Sequence, residues 1–386
     1  MIIIDFLDYS IIDTLILVKT FKPEGVKILA DREEYAGKRA QHLVNAIRDM
    51  SSNTKVDLVP IDTKDILSAI DAVNKFAGQA DELYMNIDAD HGISTAVGYG
   101  SERKSNIVPI CVDLKHGIIR NLLTLDSMAE IRHISLTDYL NAIGAKQLED
   151  SHQLPKPDEY EAICNVARVL FKSVYIWNNL CTYIGKHYSH DHSRVRIPAD
   201  LDGEMSERNA ETVREQLNAF CKNGFLRPVG SDDAESTRDM YEFTSERHKN
   251  YMVVFGVWLE MYIYIKLQPY FDDVHCGFVI DWDSFDDYDT KDNEIDVVAI
   301  KNSRPVMISC KMRMPTKEDI YEIGYISEML GGSQAVPVIA TTAIVDHKQS
   351  YKPGLYPRFK KMNVGLIETI RIASEPMDNI INALGI

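Results

Sequence analysis

Between residues 2 and 87, short aliphatic runs alternate with longer stretches in which apolar side chains recur every three to four positions. The runs at 2–4, 26–30, 55–61 and 83–87 predict strands, and the stretches 11–21, 33–50 and 63–77 predict helices. Strands and helices alternating at these lengths predict a parallel, Rossmann-like sheet. Beyond it the period shortens. Residues 107–113 and 117–122 predict two antiparallel strands about the turn Leu114, Lys115, His116 and Gly117.

Leu154, Pro155, Lys156 and Pro157 break the pattern and mark a linker. Residues 158–187 and 207–221 predict helices, and Phe225–Leu226 and 240–243 predict short strands. Helix, glycine, strand, loop, strand is a winged-helix outline. With Asp232, Asp233 and Glu235 in its loop, it reads as a connector or dimer contact rather than a nucleic-acid reader. The expected divisions are therefore 1–150, a connector over 151–249, and 250–386.

The last segment predicts a helix at 251–267, strands at 274–282, 294–300 and 306–312, a helix at 316–330 and a strand at 335–341. Residues 301–305 supply the turn of a hairpin. Strand side chains alternate faces, so Glu294 and Asp296 are expected on one face and Ser309 and Lys311 on one face of the returning strand. Two carboxylates meeting a lysine can hold a divalent metal and activate water, which phosphodiester hydrolysis needs. The bland alternative is an exposed ion pair across an edge hairpin.

Composition narrows the field. The chain of 386 residues is long enough for two or three cores. No apolar run is long enough to span a bilayer, and the start, Met-Ile-Ile-Ile-Asp-Phe, reads as a strand rather than a signal peptide. The six cysteines form no C-x-x-C pair, which suits reduced thiols in a cytoplasm. A net charge of −16 argues against general electrostatic capture of duplex DNA, although a local metal site must itself concentrate acid. His187, His190 and His192 read as a polar loop, and Cys310 as a buried apolar filler.

In a Rossmann-like sheet, ligands sit at the carboxyl ends of the strands. Those ends carry Asp8, Tyr9 and Ser10, then Asp31, then Asn86, Asp88, Ala89, Asp90, His91 and Gly92. A helix is expected after Gly92, its amides facing an anion. Asp88 and Asp90 also suit simple N-capping. Arg103 and Lys104 are candidates for a ligand phosphate. No G-x-G-x-x-G follows the first strand, and Gly98-Tyr99-Gly100 does not match it, so the dinucleotide fingerprint is rejected.

The order helix, three strands, helix, strand resembles the core of the PD-(D/E)xK restriction-endonuclease-like fold. Glu294-x-Asp296 followed by Ser309-x-Lys311 resembles its active-site signature. With a Rossmann-like N-terminal unit and a Gly256-x-Trp258-Leu259-Glu260 helix, the chain resembles CRISPR-associated nucleases that carry a CARF sensor domain. That resemblance implies a homodimer that binds a cyclic oligoadenylate and then cleaves DNA or RNA with Mg2+ or Mn2+. It makes Asp296 a metal-binding carboxylate, Lys311 the residue that orients water and stabilises charge, and Glu260 an upstream metal-site acid. Ser309 stands where most of the superfamily has Glu or Asp; Glu294, Glu260 or the Cys310 carbonyl would compensate. The loop from Asn86 to Gly92 takes the place of the family's N-x-T-G-G-T-K loop but lacks its Thr and Lys. Two other readings stay open: a ligand-responsive nucleic-acid-binding regulator with a degenerate nuclease domain, and a DNA-repair nuclease with no cyclic ligand.

Overall fold

The computed structural model describes residues 1–7, 11–32, 37–62, 64–78, 81–87, 106–144, 146–147, 154–187, 193–229, 239–281, 293–345 and 354–386. Asp8, Tyr9, Ser10, Asp88, Ala89, Asp90, His91, Gly92, Arg103 and Lys104 lie outside the described residues, as do the helix expected after Gly92, His190 and His192.

The first sheet contains β1 (Ile2–Phe6), β2 (Gly25–Asp31), β3 (Lys55–Ile61), β4 (Leu83–Asn86), β5 (Ile107–Asp113), β6 (Ile118–Asn121) and β7 (Ser127–Glu130). Its order is β3-β2-β1-β4-β5-β6-β7. The first five positions are parallel, and β6 and β7 add an antiparallel extension. The sheet is therefore Rossmann-like, with its switch point between β1 and β4. Helices α1 (Ile12–Phe21) and α2 (Lys38–Met50) pack into one apolar cluster, and α3 (Ile66–Ala77) packs into the cluster on the other face. Next, α4 (Leu136–Ile143) is closed at its start by a Ser135–Asp138 capping box. The two-residue β8 (Lys146–Gln147) then leaves this sheet and pairs with a strand from the far end of the chain.

The middle is winged-helix-like. It comprises α5 (Tyr160–Phe171), α6 (Val174–His187), β9 (Arg194–Arg196), α7 (Glu207–Lys222), β10 (Leu226–Pro228), β11 (Met240–Phe243) and α8 (Glu246–Val253). Its small sheet runs β10-β11-β9. Two expected helices are each divided in the structure. The 158–187 stretch breaks after α5. The 251–267 stretch separates into the end of α8 and α9 (Val257–Leu267), because Val254 is extended. Val257 to Tyr264 of α9 are all buried. His187 closes α6, its ring stacked on Tyr183 and its Nδ1 2.9 Å from the Tyr183 carbonyl oxygen.

The third sheet contains β12 (Asp273–Asp281), β13 (Asn293–Lys301), β14 (Arg304–Lys311), β15 (Val336–Thr341) and β16 (Gly365–Glu368), in the order β16-β15-β14-β13-β12-β8. Helix α10 (Lys317–Gly331) connects β14 to β15; α11 (Leu355–Lys361), α12 (Thr369–Ser374) and α13 (Met377–Ala383) complete the chain. One face, through Val297, Ile308 and Cys310, packs with α9 and the winged-helix-like core. The other face, through Val298, Met307 and Ile339, packs with α10 in a cluster that also takes in Ile3, Leu15 and Leu140 of the first layer. Among the described residues no helix is long and apolar enough to cross a membrane.

Two backbone details fix the hairpin. The expected five-residue turn shrinks to Asn302 and Ser303, both at positive φ (51° and 66°), with Lys301 paired to Arg304 and Pro305 already in the strand. Positive φ at both central residues matches the twist of the flanking strands. Within the turn Ser303 is 0% exposed, and its Oγ accepts the Ile134 N–H at 3.2 Å. At the other end, Gly277 has φ +65°. Cys276 and Val297 pack on the α9 side, whereas Phe278 and Ile295 pack on the α10 side. Both strands thus roll over at Gly277 and Asp296. Simple alternation therefore breaks between Ile295 and Val297, at Asp296.

A left-handed backbone costs a residue with a Cβ about 1–2 kcal/mol. Gly277→Ala is accordingly expected to lose roughly that amount in chemical denaturation. An unchanged denaturation midpoint would show that the kink is not needed.

Candidate active site

The β13–β14 ladder runs from Lys301 opposite Arg304 to Val297 opposite Ile308. One step further, the Asp296 side chain reaches across. Its Oδ2 accepts the Cys310 N–H at 2.5 Å and the Ser309 hydroxyl at 3.4 Å. The carboxylate thereby satisfies a strand amide and is pinned by it. The same segment of β14 stays in register with β15, Cys310 opposite Ala340 and Lys311 opposite Thr341, so these positions are braced from both sides.

Lys311 is the last residue of β14 and is partly exposed. Its Nζ lies 3.9 Å from Asp319 Oδ1 in the first turn of α10. Glu260 comes from the opposite face, in the first turn of α9, and is 8% exposed. A Cβ at Gly256 would stand 3.0 Å from Glu260 Oε1, so the glycine leaves room for this carboxylate against its own helix start. Glu294 is exposed.

These groups act on one another. Burial, then the charges of Asp296 and Glu294, push the Glu260 carboxyl well above its ordinary range, against the pull of Lys311. Burial also raises Asp296, with Glu294 adding to the rise. The Cys310 amide, Lys311 and Ser309 oppose it without cancelling it. The Cys310 thiol is pushed far up by burial, which suits an apolar filler rather than a nucleophile. A divalent cation would relieve the repulsion between Asp296 and Glu260, and hard cations accept carboxylate, carbonyl and hydroxyl oxygens. Among the described residues, however, no group of three or more His, Cys, Asp or Glu side chains is arranged to hold a metal. Ser309 supplies only a neutral hydroxyl, already donated to Asp296.

Asp319 escapes a reading based on strand pattern. It is the N3 residue of a Thr316–Asp319 capping box and takes the Arg313 fork at 2.7 and 2.8 Å. The T-x-x-D spacing ahead of a helix was its available signal. Glu322 is exposed on α10.

At the switch point of the first sheet, Asn86 is buried and donates from Nδ2 to Asp5 Oδ1 at 3.1 Å. Asp5, also buried, takes the Thr14 hydroxyl at 2.6 Å and the Phe6 N–H at 2.9 Å. These bonds tie β1, β4 and α1 together beneath the strand ends. Asp31 ends β2, opposite Ile61.

Residues 247–350 match the family described as Card1-like, endonuclease domain. No curated protein matches the chain. Among solved structures, protein VC1899 from Vibrio cholerae is similar over 99% of this chain and 98% of its own, with 14% identity and a TM-score of 0.76. Can2 from Sulfobacillus thermosulfidooxidans, solved in complex with cyclic tetra-adenylate, is similar over 100% of this chain and 97% of its own, with 15% identity and a TM-score of 0.68. The whole chain, including the winged-helix-like middle, thus has the fold of these two proteins.

Raised carboxyl pKa values fix the sign of a pH effect. The folded state holds the Glu260 and Asp296 protons more tightly than the unfolded chain, so stability without metal falls as pH rises from the ordinary carboxylate range through the raised values. Glu260→Gln is expected to raise the metal-free melting temperature by a few degrees at pH 8 and to leave it unchanged near pH 4. Equal melting of the two proteins at pH 8 would remove the electrostatic account.

Proposed function

We propose that this protein is a metal-dependent endonuclease acting in CRISPR antiviral defence, switched on when a cyclic oligoadenylate binds its N-terminal CARF-like unit. The observation that carries this reading is the placement of Asp296, Lys311 and Glu260 around the end of one braced hairpin. The family match over residues 247–350 and the fold shared with Can2 support it. The units proposed are a sensor at 1–150, a connector at 151–249 and a nuclease at 250–386. A homodimer closing on a four-fold-repeating ring is geometrically natural, which favours cyclic tetra-adenylate as activator. DNA and RNA are both candidate substrates.

Mg2+ or Mn2+ held by Asp296 and Glu260, with the Cys310 carbonyl as a further oxygen, would supply Lewis acidity at the scissile phosphate. The chain does the rest. The Cys310 amide keeps the Asp296 carboxylate aimed, Lys311 sets a positive charge where the phosphate gains negative charge, and Glu294 deepens the field that draws in a cation. Asp31 and Asn86, with Asp8, Tyr9, Ser10, residues 88–92, Arg103 and Lys104, are the proposed ligand positions in the sensor.

A second reading, a ligand-responsive regulator with an inactive nuclease domain, is favoured by Ser309 in place of a third carboxylate.

Cleavage of plasmid DNA, single-stranded DNA and RNA decides between them, with Mg2+ or Mn2+ and with or without cyclic tetra-adenylate. Asp296→Ala and Lys311→Ala are expected to lower the stimulated rate at least ~100-fold. Cleavage by Lys311→Ala equal to wild type would reject the catalytic assignment. Cleavage indifferent to the cyclic ligand would instead indicate a nuclease of the same fold without that activator.

A further inference from the structure

We propose that Asp319 is a positioning residue that holds the Lys311 ammonium on the α10 side of the site, away from the carboxylates that would take the metal. The inference rests on the nuclease reading above and names a residue that reading does not use.

Lys311 ends β14 on a flexible four-carbon stem, and a lysine ammonium is a point charge with no preferred fork geometry. Its direction must come from its surroundings. From β13 it acts on Asp296, from α9 on Glu260, and from α10 it is faced by Asp319; the exposed Glu294 acts on Asp296 and Glu260 in turn. β15 contributes the uncharged Thr341 opposite it, and the loop that follows β14 contributes Arg313. Asp296 and Glu260 therefore draw the ammonium toward the place a divalent cation would occupy. Asp319 draws it the other way.

Asp319 is built for a fixed pull. Its side chain is 7% exposed. Oδ2 accepts the Thr316 N–H at 2.7 Å, the Thr316 hydroxyl at 3.0 Å and Arg313 Nη1 at 2.7 Å. Oδ1 accepts Arg313 Nη2 at 2.8 Å and is the oxygen that faces Lys311 Nζ at 3.9 Å. Four donors lock the rotamer, so the charge near Lys311 stays in one place. The capping box and the Arg313 pair would by themselves account for the fixed geometry at the helix start. They do not account for the ammonium lying on this side while the larger acidic group lies on the other.

The test is a double-mutant cycle between Asp319→Asn and Lys311→Met, with Arg313→Gln as the control for loss of the fork. Asn keeps an oxygen for the Thr316 cap while removing the charge. One measurement is cleavage of labelled single-stranded DNA, RNA and plasmid with Mn2+ and cyclic tetra-adenylate. The other is calorimetric Mn2+ binding, which needs no turnover. Asp319→Asn is expected to lower kcat about tenfold with KM changed less than about twofold, and to weaken Mn2+ binding severalfold as the ammonium moves onto Asp296 and Glu260. In the Lys311→Met background it should change neither. Wild-type kcat and Mn2+ affinity in Asp319→Asn would overturn the inference. So would equal losses with and without Lys311, or a loss that Arg313→Gln reproduces in full. If the wild type cleaves none of the three substrates, the nuclease reading fails, and the Mn2+ arm still decides whether Asp319 acts through Lys311.

Discussion

The hydrogen bond from the Cys310 amide to the Asp296 carboxylate is the constraint on which the site depends. A strand pair normally continues by exchanging backbone bonds. Here the ladder stops at Val297 and Ile308, and a side chain takes the next amide. This substitution does two things together. It brings an acidic side chain into the strand ends without leaving an amide orphaned. It also fixes the carboxylate relative to β14, the strand that carries Ser309 and Lys311. Both strands turn over beside it, at the Gly277 kink. The cost is electrostatic: Asp296 and Glu260 keep their protons more tightly than free carboxylates do. Perturbed carboxyls of this kind cluster at functional sites.

The element order was legible because strand and helix periods differ so clearly along the chain. The β-α alternation from Ile2 to Asn86 and the helix, three strands, helix, strand order from Val257 to Thr341 both appear in the structure. What pattern alone misjudged were places where a local conformation overrides periodicity. Val254 breaks what reads as one helix, since its own propensity says nothing of where Ser245 starts a separate cap. Gly277 turns a strand over, and no period-2 count registers a sign change in φ. Pro305 looks like a turn residue but sits in β14 next to the Asn302–Ser303 turn.

At the site, Asp296 and Lys311 were readable from spacing, and Glu260 from its helix. The placement of Asp319 was not, because it comes from a rotamer locked by Thr316 and Arg313 rather than from a position on a strand. In the first sheet, Asn86 is legible as a strand-end polar residue, but the bond from its Nδ2 to the buried Asp5 of β1 is not. Burial of a polar pair is a tertiary fact that one strand's sequence does not carry.

The packing of the hairpin face has a further consequence. Val298, Ile300 and Met307 share one apolar cluster with Ile3, Leu15 and Leu140, and the buried Ser303 of the turn closes against Ile134. The two α/β layers therefore do not own separate interiors. Removing one would lay bare a wet, oily flank on the other, and the short β8 would lose its partner strand. Heat or denaturant should meet a single cooperative body in which the ends of the chain melt as one, rather than two beads on a string.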